Sequence, residues 1–249
     1  MFHPSTQVVF IFGHQRSGTN LLFRLLSDSL GARSYNEDNM EAFTCFRLHD
    51  TESIDALIAT STRPCVFKPI SQTMNFVEIL ASHRGARGVF IFRNPLDVVT
   101  SLLREYGSSL HELTHDIGYN FMVNRLRDLN ITLSDWRPID AIIDRFSGRF
   151  SLSSDFASKC ALRWLLQHAT LQQRGILQSS AVVPIAYEDI LAHPEQVSMR
   201  LSAHLQADVG LPAMPHQRDG TDFFRDSIDV QLARDCMELF EAFREASRQ

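Results

Sequence analysis

Hydrophobic positions in the first hundred residues fall into short solid runs that alternate with longer, spaced ones. Val8–Phe12 (VVFIF), Cys65–Lys68 (CVFK) and Gly88–Phe92 (GVFIF) are short and rich in β-branched and aromatic residues, so they read as buried strands. A further short strand is expected around Ala32–Tyr35. Between these runs the spacing turns helical. Asn20 opens a stretch with Leu21, Leu22, Leu25 and Leu26 on one face, ending near Gly31. Helices are also expected near Met40–Arg47, over Asn75–Ser82, and over Pro95–Tyr106 with proline in the first turn. Alternation of this βαβα kind predicts a mostly parallel sheet covered by helices on both faces.

From about Gly107 to Gly175 the strand signal disappears and helical patterns dominate, including Phe156–Gln173. One last strand, Ala181–Ala186, leads to short helices at Tyr187–Leu191 and Pro194–Leu205, and a terminal amphipathic helix starts near Asp229. No repeat or low-complexity linker interrupts the chain, so residues 1–249 read as a single domain with a helical insertion at about 107–175. With 249 residues, 44% of them hydrophobic and 21% charged, it has enough material for a core without disulfide or metal staples.

Charge narrows the function. Twenty-four basic against 29 acidic residues give a formal net charge of −5, which argues against coating nucleic acid or anionic membrane. The basic set is lopsided, with arginine everywhere except Lys68 and Lys159; arginine suits bidentate recognition of phosphate and carboxylate. Cys45, Cys65, Cys160 and Cys236 are scattered without zinc spacing, as expected of free thiols in a reducing compartment. The first apolar run, Val8–Phe12, is far short of the roughly 20 residues a membrane span needs. The chain is read as soluble and cytoplasmic.

Directly after the first strand comes GHQRSGTN, Gly13 to Asn20, leading into a helix. Gly-x4-Gly between strand and helix is the spacing that turns backbone N–H groups toward a phosphate at a helix N-terminus. A nucleotide-hydrolysing loop would continue with Lys, for the β- and γ-phosphates, and Ser or Thr, for magnesium. Here those places hold Thr19 and Asn20, and the positive charge sits inside the loop at Arg16. Such a loop suits an anion that needs no metal.

Arg-Ser-Gly-Thr-Asn after a strand resembles the 5′-phosphosulfate loop of the sulfotransferases that use 3′-phosphoadenylyl sulfate (PAPS). FIFRNPLDVVTSLL, Phe90 to Leu103, resembles the same family's 3′-phosphate motif, in which an Arg and a Ser eight residues on grip the phosphate. VVPIAYEDILAHPEQV, Val182 to Val197, and Trp164 match weaker family features and read as scaffold. Arg218-x-Gly220 resembles an element that folds over the 3′-phosphate, a plain turn being the alternative. Leu21 stands where some members have an aromatic that helps hold adenine, so no adenine contact is assigned. The resemblance implies an α/β, three-layer P-loop-type fold with a central parallel sheet and a helical insertion. It further implies that Arg16, Ser17, Gly18, Thr19 and Asn20 hold the 5′-phosphosulfate, while Arg93, Ser101 and Arg218 hold the 3′-phosphate. An ion pair with Asp97 is the competing role for Arg93.

Sulfuryl transfer needs a base near the acceptor oxygen and positive charge where negative charge develops. The base should come from the segment after strand two, SYNEDNMEAF, whose end of the sheet also carries the glycine loop. Glu37 comes first and resembles the catalytic Glu of the protein-tyrosine and carbohydrate sulfotransferases. Asp38 and Glu41 compete with it, and His14 and His49 are in reserve. Lys68 ends the third strand, where several branches of the family place a Lys on the leaving phosphate or bridging oxygen; a structural ion pair is its alternative. Glu37, Lys68 and Arg16 make the expected catalytic set. The implied reaction carries a sulfuryl group from PAPS, a co-substrate, to a hydroxyl or amine and releases adenosine 3′,5′-bisphosphate, with no metal. The acceptor is a small molecule, glycan or peptide. A small-molecule kinase with a degenerate P-loop and a non-catalytic nucleotide-binding module are the alternatives.

Overall fold

In a computed structural model, the described residues are 7–107, 119–146, 149, 155–214 and 227–248. They form two compact units, one of Met1–Phe92 with Leu177–His216, the other of Arg93–Ile176 with Gln217–Gln249.

The first unit is built on a five-stranded sheet in the order β2-β5-β1-β6-β7. Its strands are β1 (Val8–Gly13), β2 (Arg33–Tyr35), β5 (Cys65–Phe67), β6 (Arg87–Phe92) and β7 (Val182–Ala186). Every pairing in it is parallel. Strand residues alternate between faces, and the side-chain types sort accordingly. Val9, Ile11, Val66, Val89 and Ile91 make an aliphatic core with Leu22 and Leu26 of α1 (Thr19–Ser29), Ile190 of α8 (Tyr187–Ala192) and Val197 and Leu201 of α9 (Pro194–Leu205). The opposite face is aromatic. Phe10 stacks on Phe67 with ring centres 5.2 Å apart and on His83 at 5.3 Å, while Phe12 meets Phe76 edge-on at 6.3 Å. Phe76 opens α3 (Phe76–Ser82), which follows a 3₁₀ turn over Ile70–Asn75. Helices on both faces of a parallel sheet make the expected three-layer α/β architecture.

One segment departs from expectation. In place of a helix near Met40–Arg47 the chain forms a small antiparallel hairpin, β3 (Phe43–Thr44) and β4 (Arg47–Leu48). Ala42, Phe43 and Phe46 have helical spacing, but only Ala42 and Phe43 are buried, and Phe46 is 59% exposed. His49 N–H to Ala42 O (2.8 Å) closes the ladder. An additional helix follows the hairpin: α2 (Thr51–Ala59), a surface helix started by the Asp50 carboxylate, which accepts from Ser53 N–H at 2.8 Å.

Among the described residues the regular elements of the second unit are all helices: α4 (Pro95–Tyr106), α5 (Tyr119–Asp128), α6 (Arg137–Phe146), α7 (Phe156–Gln173) and α10 (Val230–Ser247). Asn94 caps α4 by accepting from Leu96 N–H at 2.9 Å, and Pro95 occupies its first turn. Trp164 and His168 stack 3.8 Å apart in its core, with Phe243 edge-on to His168 at 5.6 Å. Among the described residues no helix is long and apolar enough to cross a membrane.

Candidate functional site

Parallel strands deliver their following loops to one end of the sheet, and the order β2-β5-β1 makes three of those loops neighbours. Glu37 lies just past β2, Lys68 just past β5 and the glycine loop just past β1. Tyr35 and Phe67 are register partners, so the residues after them emerge side by side.

The glycine loop is fixed at both ends. Thr73 Oγ1 accepts from Gly13 N–H at 3.0 Å and donates to Gly13 O at 2.9 Å. A side chain at Gly13 would sit 2.7 Å from the Ile91 carbonyl oxygen. Ser17 N–H turns back to His14 O at 3.2 Å, with Arg16 at φ 65° and Gly18 at φ 89°. At Gly18 a Cβ would lie 2.3 Å from Tyr187 Cδ2, so the residue must be glycine both for its backbone and for the ring behind it. Tyr187, expected as scaffold, is the seat of the loop. Among the described residues no side chain caps α1, and its own first turn holds no acidic residue to offset its positive end. Ser17 is wholly buried, and its hydroxyl has no hydrogen-bond partner among the described residues. Thr19 is buried and Asn20 exposed.

Glu37 and Lys68 come together. Lys68 Nζ stands 3.4 Å from Glu37 Oε2, both side chains being largely buried at 8% and 16% exposure. Glu37 Oε1 accepts from Ser71 N–H at 2.7 Å, so each carboxylate oxygen has a partner. The competing bases are engaged elsewhere. Asp38 accepts from Asn36 at 3.3 Å and Glu41 pairs with Arg33 at 3.3 Å, both on the surface. His49 shares a hydrogen bond with Thr44 Oγ1 at 2.9 Å, and buried His14 donates from Nδ1 to Gln15 O at 2.7 Å.

No family model and no curated protein matches the chain. Solved structures do resemble it over nearly its whole length, among them the following three. A sulfotransferase from Alicyclobacillus acidocaldarius is 16% identical over 100% of both chains, with a TM-score of 0.51. The sulfotransferase domain of the Synechococcus PCC 7002 olefin synthase is 16% identical over 98% of this chain and 97% of its own, TM-score 0.51. Mouse sulfotransferase SULT7A1, solved with PAP, is 15% identical over 97% of this chain and 88% of its own, TM-score 0.50.

The chain has the sulfotransferase fold.

On that fold the remaining expected residues belong to the second unit. Arg93 follows the last residue of β6 and is half-buried; Ser101 lies on α4 within the same unit and is also half-buried. Arg218 lies outside the described residues. Among the described residues no group of three or more His, Cys, Asp and Glu side chains is placed to hold a metal ion. Two residues at this end of the sheet carried no sequence signal. Thr73 clamps the start of the loop and Ser71 holds the Glu37 carboxylate. Both sit in the 3₁₀ turn after Lys68, where Pro69 at its start was the only local cue.

Proposed function

We propose that the protein is a sulfotransferase that moves a sulfuryl group from PAPS to a hydroxyl or amine, releasing adenosine 3′,5′-bisphosphate. The observation that carries this is Ser17. A wholly buried hydroxyl without a hydrogen-bond partner among the described residues, in a loop that opens the positive end of a helix, is satisfied by an anionic oxygen. In this reading Arg16, Ser17, Gly18, Thr19 and Asn20 hold the 5′-phosphosulfate. Arg93 and Ser101 hold the 3′-phosphate, and Arg218 adds to it. Asn20 lacks the hydroxyl with which nucleotide-hydrolysing loops hold magnesium, so no metal is required.

Glu37 serves as the base, taking the acceptor proton as the acceptor oxygen bonds to sulfur. The bond from sulfur to the phosphate oxygen breaks, and its electron pair stays on that oxygen. Lys68, held beside Glu37, supplies the positive charge for this leaving oxygen, and Arg16 supplies it from the loop. The acceptor is a small molecule, glycan or peptide. The test is incubation with [³⁵S]PAPS and a panel of alcohols, phenols and amines, without magnesium. Labelled product together with stoichiometric bisphosphate is expected. Label that stays on PAPS with every acceptor, in a preparation that hydrolyses or transfers phosphate from MgATP, would overturn the reading in favour of a kinase.

A further inference from the structure

Between β2 and α2 the chain makes a hairpin that ought to be unstable by itself. Its two-residue turn places Cys45 at φ 49° and Phe46 at φ 62°, both in the left-handed region. Hairpins of this geometry normally use Asn-Gly, because other side chains meet steric resistance there. A bulky aromatic persists in such a conformation only when its surroundings impose it. The 3₁₀ turn after Lys68 provides that restraint. Ser71 Oγ donates to the Phe46 carbonyl, and Gln72 Oε1 accepts from Leu48 N–H at 2.6 Å. Ser71 faces the other way as well, since its N–H is the donor to Glu37 Oε1. One residue thus joins the hairpin tip to the carboxylate assigned as base.

What the hairpin displays is unusual for a surface turn. Phe46 is 59% exposed and Met40, between Glu37 and the hairpin, is 87% exposed. They are two of the five large hydrophobic residues exposed among the described residues. A strained, anchored turn that presents an aromatic ring to water, tethered to the base, has the features of a contact surface rather than of packing.

We propose that the β3–β4 hairpin selects the acceptor, with Phe46 contacting the apolar carbon body that carries the reacting hydroxyl and Ser71 positioning that contact relative to Glu37. This rests on the sulfuryl-transfer reading and narrows its acceptor to a hydroxyl on an apolar or aromatic frame.

The test compares phenol with 4-hexylphenol as acceptors of label from [³⁵S]PAPS, with calorimetry of adenosine 3′,5′-bisphosphate on the same preparations. The unmodified protein prefers 4-hexylphenol. Phe46→Gly suits the left-handed backbone and keeps the carbonyl that Ser71 holds, so the fold is preserved. It lowers the kcat/KM ratio of 4-hexylphenol to phenol by about tenfold, chiefly through KM, the scale of a lost apolar contact in a substrate pocket. Ser71→Ala keeps the N–H to Glu37 but frees the tip; it lowers the same ratio, and Ser71→Thr, which retains a hydroxyl, restores it. Bisphosphate affinity stays unchanged in all three. Transfer with no preference for 4-hexylphenol, or with a ratio untouched by Phe46→Gly, overturns the hairpin assignment and leaves the sulfuryl-transfer reading standing. Absence of both transfer and bisphosphate binding overturns the two together.

Discussion

Replacing Gly18 with alanine tests whether the loop is built as described. Two separate costs arise at this one position. The backbone sits at φ 89°, where a Cβ costs about 1–2 kcal/mol. The new methyl would also lie 2.3 Å from Tyr187 Cδ2 and 2.8 Å from Cε2, so the ring or the loop must shift. Overpacking of this kind costs about 1–3 kcal/mol. Together they predict a loss of about 2–5 kcal/mol, or a fall in Tm of about 4–20 °C for a chain of this size. The two parts separate in a double-mutant cycle measured by scanning calorimetry. In a Tyr187→Ala background the clash disappears and only the backbone cost remains, so Gly18→Ala there should cost about 1–2 kcal/mol. An equal cost in both backgrounds would refute the contact between loop and ring, and no cost in either would refute the left-handed turn.

Three further outcomes are expected. Glu37→Gln keeps the shape of the side chain but removes its capacity to take a proton, so turnover should fall by about 10²–10⁴-fold with bisphosphate affinity nearly intact; full activity here together with loss in Glu41→Gln would move the base to Glu41. Lys68→Ala should slow single-turnover transfer by about 10²–10³-fold, because a cation aimed at the leaving oxygen acts mainly in the transition state. A lowered Tm with normal turnover in the same preparation would make the Lys68–Glu37 contact purely structural. His168, buried against Trp164 and donating to its carbonyl at 2.8 Å, has its pKa lowered by burial from 6.5 to about 3. It stays neutral in the fold while the unfolded chain protonates. Stability is therefore full above pH 6.5 and declines as pH falls toward 3, by about 2 kcal/mol between pH 6.5 and 5 from this residue. Urea melts of His168→Gln should show a shallower acid slope over that range, and an identical slope would contradict the assignment.

Most of the sheet could be read from local composition, because VVFIF, CVFK and GVFIF are short, apolar and β-branched, and α4 carries its own start signals in Asn94 and Pro95. The hairpin could not, since Cys45-Phe46 replaces the glycine or asparagine that would mark its turn, and distant Ser71 and Gln72 stabilise it instead. Helix α2 is legible by the same rules, since Ile54, Leu57 and Ile58 fall at i, i+3 and i+4 behind Asp50 and Glu52; its stripe is short, and only Ile54 is fully buried. In the site, Glu37 and Lys68 were each legible as residues following strands. Their contact depends on β2 and β5 being neighbours, which is a property of strand order and not of spacing along the chain. Ser71 and Thr73 act through a hydroxyl or an N–H toward residues far away in sequence, and no local pattern distinguishes such residues from any other polar position in a turn.

Calorimetric titration of adenosine 3′,5′-bisphosphate against AMP, both in EDTA, tests the assignment of a sulfuryl-donor site most directly. Arg93 and Ser101 should add charged hydrogen bonds to the 3′-phosphate worth about 1.5–3 kcal/mol, so the bisphosphate should bind roughly 10- to 150-fold more tightly than AMP without any metal. Equal affinities, or nucleotide binding that appears only when magnesium and ATP are supplied, would contradict it.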